Sequence, residues 1–331
     1  MNNINDLINK IHHTDALAFL KDLPDESINS LITSPPYFGH RDYGDDAQIG
    51  LEETLQEYIN ALITLFSEAR RVLKNDGTFW LNIGDTYVGA TSQHKGGGSQ
   101  GKNSRYSRKH MNGIPTNGRM KRNKAFYAMG LPMKSLVGVP WRVALALQSD
   151  GWLLRSDIIW HRPSSSESVK DRPTHAHEYI FMFSKKQHYY YDRSEMLNEN
   201  GSNKQSVWRI TGSPFTGAHC ATFPTELIEP IILTSCPKNG VVFDPFGGSG
   251  TIGLVCRQHK RDFILCDISA ENVALAHQRI FEGITTNDKK RLHSLESSQP
   301  KLPVIDDNKT SAEKELIYNM VFQNNSNTAR I

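Results

Sequence analysis

Apolar positions along the 331-residue chain recur with two periods, one suited to strands and one to helices. Residues 11–14 and 28–33 are short runs of strand type, and Asp15 between them offers an N-cap for a helix through Lys21. Leu55, Ile59, Leu62, Ile63, Phe66, Ala69, Val72 and Leu73 follow helical spacing. The turn-forming Asn75-Asp76-Gly77 closes that helix, and 78–83 is strand-like. Periodicity then lapses, interrupted by Gly96, Gly97, Gly98, Gly101, Gly113 and Gly118. It resumes with a helix over 141–147, strands over 153–160 and 178–184, and a helix near 225–233. A strand over 241–246, a helix over 251–258, a strand over 263–267 and a helix over 271–280 follow. Strands alternating with helices predict an α/β fold, a doubly wound and mostly parallel sheet covered on both faces. No internal repeat is present. From about residue 285 the chain turns polar, with one short helix over 313–322, so a domain over 1–284 and a linker and tail over 285–331 are expected.

Composition narrows the class. Hydrophobic residues make up 38% and charged residues 22%, enough for a globular core. No run approaches the ~18 consecutive apolar residues of a membrane helix. The first ten residues lack the basic start and apolar centre of a signal peptide. Cys220, Cys236, Cys256 and Cys266 form no CxxC pair, so neither a disulfide framework nor a zinc site is indicated. A reduced cytoplasmic protein with no metal is the expectation. The net charge of +3 hides an asymmetry: residues 86–149 hold eleven Lys and Arg and no acid, leaving the remainder at −8. A basic insert on an acidic body suits a polyanion; a solvated lysine-rich loop is the plainer alternative.

Two motifs carry chemistry. Asp244-Pro245-Phe246-Gly247-Gly248-Ser249-Gly250-Thr251 closes a predicted strand and opens a helix. Its glycines permit tight bending and close approach of backbone to a ligand, with helix N–H groups turned toward it. Asp267, at the tip of the next strand, can accept hydrogen bonds from ribose hydroxyls. The loop lacks the GK[ST] ending of a phosphate-binding P-loop. Taken alone it could be no more than a tight strand–helix turn.

Thr33-Ser34-Pro35-Pro36-Tyr37 follows the strand 28–33. By itself it reads as a proline-rich turn. Beside the glycine loop it reads as an amino-group cradle. The Ser34 side chain and the Pro35 carbonyl can each accept one hydrogen of a nucleobase amino group, which turns the nitrogen lone pair away from the ring. Pro36 stiffens the presentation, since consecutive prolines fix φ and remove N–H donors. Tyr37 offers a flat face for a base extruded from a duplex.

With both motifs present, the chain resembles the amino-methylating DNA methyltransferases of restriction–modification systems over roughly residues 11–280. The catalytic loop precedes the cofactor loop, which is similar to the permuted β-type order. The resemblance implies a catalytic domain over 1–284 that takes a methyl group from S-adenosyl-L-methionine. It assigns Thr33 and residues 244–251 to the cofactor, and places Asp15 against the adenine amino group, although Thr14 stands where the family has Gly. The stretch 222–227, with Phe223, resembles the segment beneath the methionine end. Residues 159–163 and 177–183 resemble segments beside the target-base pocket. Read on their own, Phe181, Phe183 and Tyr189-Tyr190-Tyr191 are ordinary strand residues, and His175 and His177 solvated loop histidines.

Serine at position 34 resembles the cytosine-N4 members, Asp or Asn there being the commoner adenine-N6 pattern. Cytosine N4 is therefore the expected target, with adenine N6 the alternative and an RNA or protein amide group more remote. Methylation at C5 needs a nucleophilic Cys, typically after Pro, and none of the four cysteines follows one. A DNA-binding module with a vestigial pocket would require both loops to survive unused. The partner implied is double-stranded DNA, met by Arg41 and by Lys102, Arg105, Arg108, Lys109, Arg119, Lys121 and Arg122 of the insert 88–135. Segment 192–218 is a candidate for target recognition. A cognate restriction endonuclease acting separately and a monomeric or homodimeric state complete the expectations, with no membrane partner.

Residues 95–124 hold nine Lys and Arg and no acid. Each phosphate such a segment neutralises steepens the fall of log affinity with log salt by ~0.9. Deleting it is expected to flatten the salt slope of DNA binding by several units and to leave cofactor affinity unchanged. An unchanged slope in a variant that still methylates its site would reduce the insert to a solvated loop.

Overall fold

A computed structural model describes residues 3–40, 45, 47–88, 129–163, 169–211 and 224–282. All of these belong to one compact unit, Met1–Thr285, while Thr286–Ile331 forms a second unit outside the described residues. The elements are β1 (Lys10–His13), α1 (Ala16–Asp22), β2 (Ile28–Thr33), α2 (Leu55–Val72), β3 (Leu73–Ile83), α3 (Val139–Ser149) and β4 (Leu153–His161). There follow β5 (His177–Ser184), β6 (Val207–Arg209), α4 (Thr225–Ser235), β7 (Val241–Asp244), α5 (Thr251–Gln258), β8 (Asp262–Asp267) and α6 (Ala270–His277).

One eight-stranded sheet runs β1-β8-β7-β2-β3-β5-β4-β6. All neighbours are parallel except β5, which is antiparallel to both β3 and β4. Side-chain alternation across the pleat divides the core between its two faces. Phe79 and Leu81 of β3 pack with Phe66, Trp152 and Phe183, while Trp80 between them packs with Ile158, Trp160, Ile228 and Ile232. The apolar stripe of α2 is buried from Leu55 to Val72. Its start is fixed by a capping box, in which Thr54 accepts from the Glu57 N–H and Glu57 accepts from the Thr54 N–H.

Several local expectations shift. The Asn75-Asp76-Gly77 turn lies inside β3, where pairing jumps from Ile28↔Leu73 to Ser30↔Thr78 and the extra residues bulge out. A Cβ on Gly77 would stand 2.6 Å from Leu73 Cγ and 2.9 Å from the Asn29 carbonyl oxygen, so the bulge needs glycine. The strand expected over 241–246 stops at Asp244. The last helix ends at His277 and passes into a π turn over Gln278–Glu282. Tyr189, Tyr190 and Tyr191 lie beyond β5 in no strand.

Strand β6 carries no alternating signal because it has only three residues, yet it extends the sheet beside β4. Trp208 of β6 and Met196 are buried in the core that holds Trp80 and Trp160, while most other described residues of segment 192–218 are exposed. The helix expected over 313–322 lies outside the described residues. Among the described residues no helix is long and apolar enough to cross a membrane.

Candidate active site

Strands β7 and β2 are parallel neighbours, with Leu31 opposite Phe243. From β2 the chain winds outward to β3, and from β7 it winds the other way to β8, so the winding reverses between them. Ligands of open α/β sheets bind at such reversals, beyond the carboxyl ends of the strands. Both chemical motifs emerge there: Ser34-Pro35-Pro36-Tyr37 after β2 and the glycine loop after β7.

A buried hydrogen bond joins them. The Thr33 hydroxyl donates to Asp244 Oδ1 at 2.6 Å, and the Phe246 N–H donates to the same oxygen at 3.0 Å. Burial pushes the Asp244 carboxyl up to about 7; the Thr33 and Phe246 bonds oppose the shift and the Asp267 charge adds to it. Thr33 and Asp244, both placed on the cofactor side by sequence, therefore have side chains bonded to each other.

The glycine loop is held from three sides. Gly247 N–H donates to the Cys266 carbonyl at 2.7 Å, Gly248 N–H to Asp267 Oδ2 at 2.8 Å, and Gly250 N–H to the Gly247 carbonyl at 2.8 Å. Pro245 is buried behind them and Phe246 half-buried. Gly250 caps α5 at φ +77°, and a Cβ there would stand 2.8 Å from Ala276 Cβ. Arg279 donates to the Ser249 carbonyl at 2.6 Å, to the Ser249 hydroxyl and to Thr251 Oγ1 at 3.2 Å. The N–H groups of Phe246, Gly247, Gly248 and Gly250 are thus taken up within the protein, ahead of the helix N–H groups that the sequence reading turned toward a ligand. What the loop offers is space: Gly248, at φ +50°, has nothing closer than 3.8 Å to a built Cβ.

Two further carboxylates stand at neighbouring strand tips. Asp15 follows β1, which pairs with β8, and caps α1 by accepting from the Ala18 N–H at 2.8 Å. Asp267 ends β8 and accepts from Gly248, from the Ser269 N–H at 2.8 Å and from Asn272 Nδ2 at 2.9 Å. Each Asp267 oxygen has two lone-pair sites, so acceptor capacity remains on Oδ2. Three carboxylates, an open glycine and no Lys or Arg in 244–251 suit a phosphate-free nucleoside with hydroxyls, an amine and positive charge. S-adenosyl-L-methionine has that chemistry.

On the other side of the junction, Pro35 is buried and Pro36 half-buried. The Pro36 carbonyl accepts from the Tyr58 hydroxyl at 2.9 Å. Among the described residues nothing donates to the Pro35 carbonyl, the acceptor that sequence singled out. Gly50 lies against this turn at φ +109°, where a Cβ would meet Pro36 Cβ at 3.2 Å. Ser34 Oγ is 3.5 Å from the Tyr37 hydroxyl. That hydroxyl donates to Glu178 Oε2 at 2.6 Å and lies 3.4 Å from Asn82 Oδ1. Burial first, and the Glu178 charge next, hold the Tyr37 phenol well above its ordinary value.

Phe181 and Phe183 of β5 are core residues, as the sequence suggested. The His175 and His177 rings stack with centroids 4.4 Å apart, and among the described residues no group could hold a metal ion. Phe223, Arg41, Lys102, Arg105, Arg108, Lys109, Arg119, Lys121 and Arg122 lie outside the described residues. Sequence reasoning missed Tyr58, Asn82, Glu178, Arg279 and Asn272. Only Glu178 carried a signal, its place in a segment resembling the base pocket.

A glycine loop flanked by carboxylates, beside a Ser-Pro-Pro-Tyr turn on the adjacent parallel strand, fits the layout of a methyltransferase. Residues 28–278 match the N6/N4 family described as DNA methylase. The chain is 46% identical over 278 residues to the type II methyltransferase M.Cfr9I of Citrobacter freundii, covering 82% of this chain and 87% of that one. It is 42% identical over 281 residues to M.SmaI of Serratia marcescens, covering 82% and 90%. Its fold is similar to that of PvuII DNA methyltransferase (cytosine-N4-specific), with TM-score 0.60 and 22% identity over 94% of this chain and 91% of that one. A Thermus thermophilus protein assigned as a DNA modification methylase, solved with S-adenosyl-L-methionine, gives 0.55 at 20% identity, covering 82% and 95%. The chain belongs to the N6/N4 DNA methylase family: it is a DNA methyltransferase, and its methyl donor is S-adenosyl-L-methionine.

Two outcomes follow from the carboxylates. Folding raises the Asp244 pKa from its ordinary value near 3.8 to about 7, so the folded protein keeps a proton that the unfolded chain releases. The stability contributed by that group is full below the unfolded pKa and is lost as pH rises through about 7. Asp244→Asn keeps the Oδ1 acceptor without the charge. Its Tm relative to the parent is expected to rise progressively from about pH 4 to about pH 7 and to level off above that. A constant difference would show that Asp244 does not titrate there.

Asp267→Ala is expected to weaken S-adenosyl-L-methionine binding by ~1–3 kcal/mol in calorimetry. It should also lower Tm, because the Gly248 and Ser269 N–H groups lose their acceptor. Normal cofactor affinity in a folded variant would remove Asp267 from the site.

Proposed function

We propose that this enzyme methylates N4 of cytosine at a specific double-stranded DNA site, as the modification partner of a separately acting restriction endonuclease. The observation that carries the reading is Ser34 beside the Pro35 carbonyl, locked through Thr33 to the glycine loop. Ser34 Oγ and the Pro35 carbonyl each accept one amino hydrogen of the flipped base. The nitrogen lone pair then points out of the base plane toward the neighbouring loop. Tyr58 binds the Pro36 carbonyl and so keeps the next peptide from competing for the amino group. Tyr37 packs against the extruded base.

The glycine loop, Asp15, Asp267 and the segment with Phe223 hold S-adenosyl-L-methionine, which supplies a methyl group on a cationic sulfur. The pocket contributes position and an acceptor set rather than a covalent nucleophile. The basic insert, with Arg41, meets phosphates, and segment 192–218 takes part in site recognition. The relatives' names as type II methyltransferases support the restriction–modification setting.

Serine rather than Asp or Asn at position 34 favours cytosine N4 over adenine N6. Methylated plasmid digested to nucleosides and read by mass spectrometry should yield N4-methylcytosine; N6-methyladenine would overturn the base assignment, and transfer to RNA alone the substrate. Ser34→Ala should lower single-turnover methylation by ~100-fold or more, with cofactor affinity kept. A near-normal rate in that variant would remove Ser34 from the amino-group cradle.

A further inference from the structure

The Tyr37 side chain is gripped by residues that neither motif contains. Its hydroxyl donates to Glu178 Oε2 at 2.6 Å, and the other oxygen of that carboxylate pairs with the Arg162 guanidinium. Glu178 is the second residue of β5 and sits opposite Trp160 of β4, whose strand ends one residue before Arg162. The Arg162 main chain is itself tied to this hairpin, its N–H donating to the Ala176 carbonyl at 2.7 Å. Asn82, 4% exposed, lies beside the same hydroxyl and is fixed by donation to the Tyr179 carbonyl at 3.1 Å. Pairing of Ile83 with Tyr179 puts Gly84 next to Glu178. A Cβ on Gly84 would stand 2.8 Å from Tyr37 Cε2, 3.4 Å from Tyr37 Cζ and 3.5 Å from Glu178 Cγ.

We propose that Glu178, held by Arg162, is a positioning residue for the methylation reaction: it takes the phenolic hydrogen of Tyr37 and so fixes the ring over Gly84. This rests on the reading of Tyr37 as the surface that receives the flipped base. A tyrosine after two prolines is otherwise free to turn about χ1, and each rotamer carries the ring face elsewhere. Three constraints remove that freedom: a charge-assisted hydrogen bond at the hydroxyl, an ion pair behind it, and a glycine beneath the ring edge. The hydroxyl is thereby committed to protein, and the ring alone is left for the base. Glu178 does not touch the reacting nitrogen in this scheme. Its effect passes through Tyr37, so removing the Tyr37 hydroxyl should make the enzyme indifferent to Glu178.

The test is a double-variant cycle on full-length enzyme, with rates read on DNA that keeps the target cytosine and base extrusion read on a duplex carrying 2-aminopurine in its place. Glu178→Ala should lower the single-turnover rate ~10–100-fold and disturb the 2-aminopurine signal, with cofactor affinity within about twofold of the parent. Glu178→Gln, which still offers an acceptor, should recover most of that rate. In a Tyr37→Phe background, Glu178→Ala should add less than about threefold. Equal losses in both backgrounds, or a normal rate for Glu178→Ala, would overturn the proposal.

Should Glu178→Ala fail to fold, Gly84→Ala serves, since its Cβ clashes with the Tyr37 ring at 2.8 Å while making only ordinary contact with Glu178 Cγ at 3.5 Å. It should lower the rate with cofactor affinity kept, and a normal rate there would equally overturn the proposal. Failure of the underlying reading looks different: Tyr37→Ala would then leave turnover intact while Ser34→Ala does not.

Discussion

The hydrogen bond from Thr33 to Asp244 lies just beyond the last recorded backbone pair of β2 and β7, Leu31 with Phe243. Adjacent strands stand ~4.8 Å apart, and past their paired ends nothing in a sheet obliges two loops to stay together. Methyl transfer tolerates little slack, since reacting atoms must come within ~3–3.5 Å in line. A side-chain bond that prolongs the pairing by one step converts two independent turns into one rigid unit. Both donors, the Thr33 hydroxyl and the Phe246 N–H, address Oδ1. The lock therefore persists whether Asp244 is neutral or ionised, because a proton on Oδ2 leaves Oδ1 an acceptor. A cation lodged in the glycine loop favours the ionised form, so binding there and the charge of the lock are linked.

Much of this was legible in the sequence because the two motifs are defined by residues whose backbone behaviour is nearly context-free. Consecutive prolines after an apolar run and glycines at a strand–helix junction announce turns that need no knowledge of the fold. Their adjacency in space was readable only through the rule that ligands gather where winding reverses. Helices such as α2 were recovered because a buried stripe eighteen residues long leaves a periodic trace. The three-residue β6 was lost for the opposite reason: period two cannot be established over Val207, Trp208 and Arg209. The direction of β5 was equally silent, since a strand buried on both faces carries the same apolar residues whichever way it runs.

The supporting shell of the site was the least legible part, and the cause is separation along the chain. Tyr58 reaches Pro36 from α2, Arg279 reaches Ser249 from beyond α6, and Glu178 reaches Tyr37 across 141 positions. A tyrosine on a helix stripe, an arginine just past a helix end and a glutamate heading a strand each have ordinary explanations in isolation. Three-dimensional coincidence makes them specific. The bracing of the glycine loop was hidden for the same reason, because only the folded sheet shows Cys266 and Asp267 bonded to its N–H groups.

The charge distribution completes the logic of the site. The carboxylates at the strand tips, Asp15, Asp244 and Asp267, suit a cationic nucleoside and repel a polyanion, so the proposed DNA contact has to come from elsewhere in the chain. The root of the insert between β3 and α3 lies away from those carboxylates. Its ends are fastened together: Val88 N–H donates to the Ser135 carbonyl at 2.9 Å and Val137 N–H to the Thr86 carbonyl at 3.0 Å. Asp85 ties the root to α3 by accepting from the Gly138 and Val139 N–H groups, each at 3.0 Å. Gly84, one residue earlier, lies under the Tyr37 ring. The acid-free stretch thus leaves the sheet at the proposed base-binding edge, on the far side of Ser34 from the carboxylates. Under the function proposed above, attraction for phosphate and attraction for the cofactor are in this way separated along one sheet edge, with Ser34 between them.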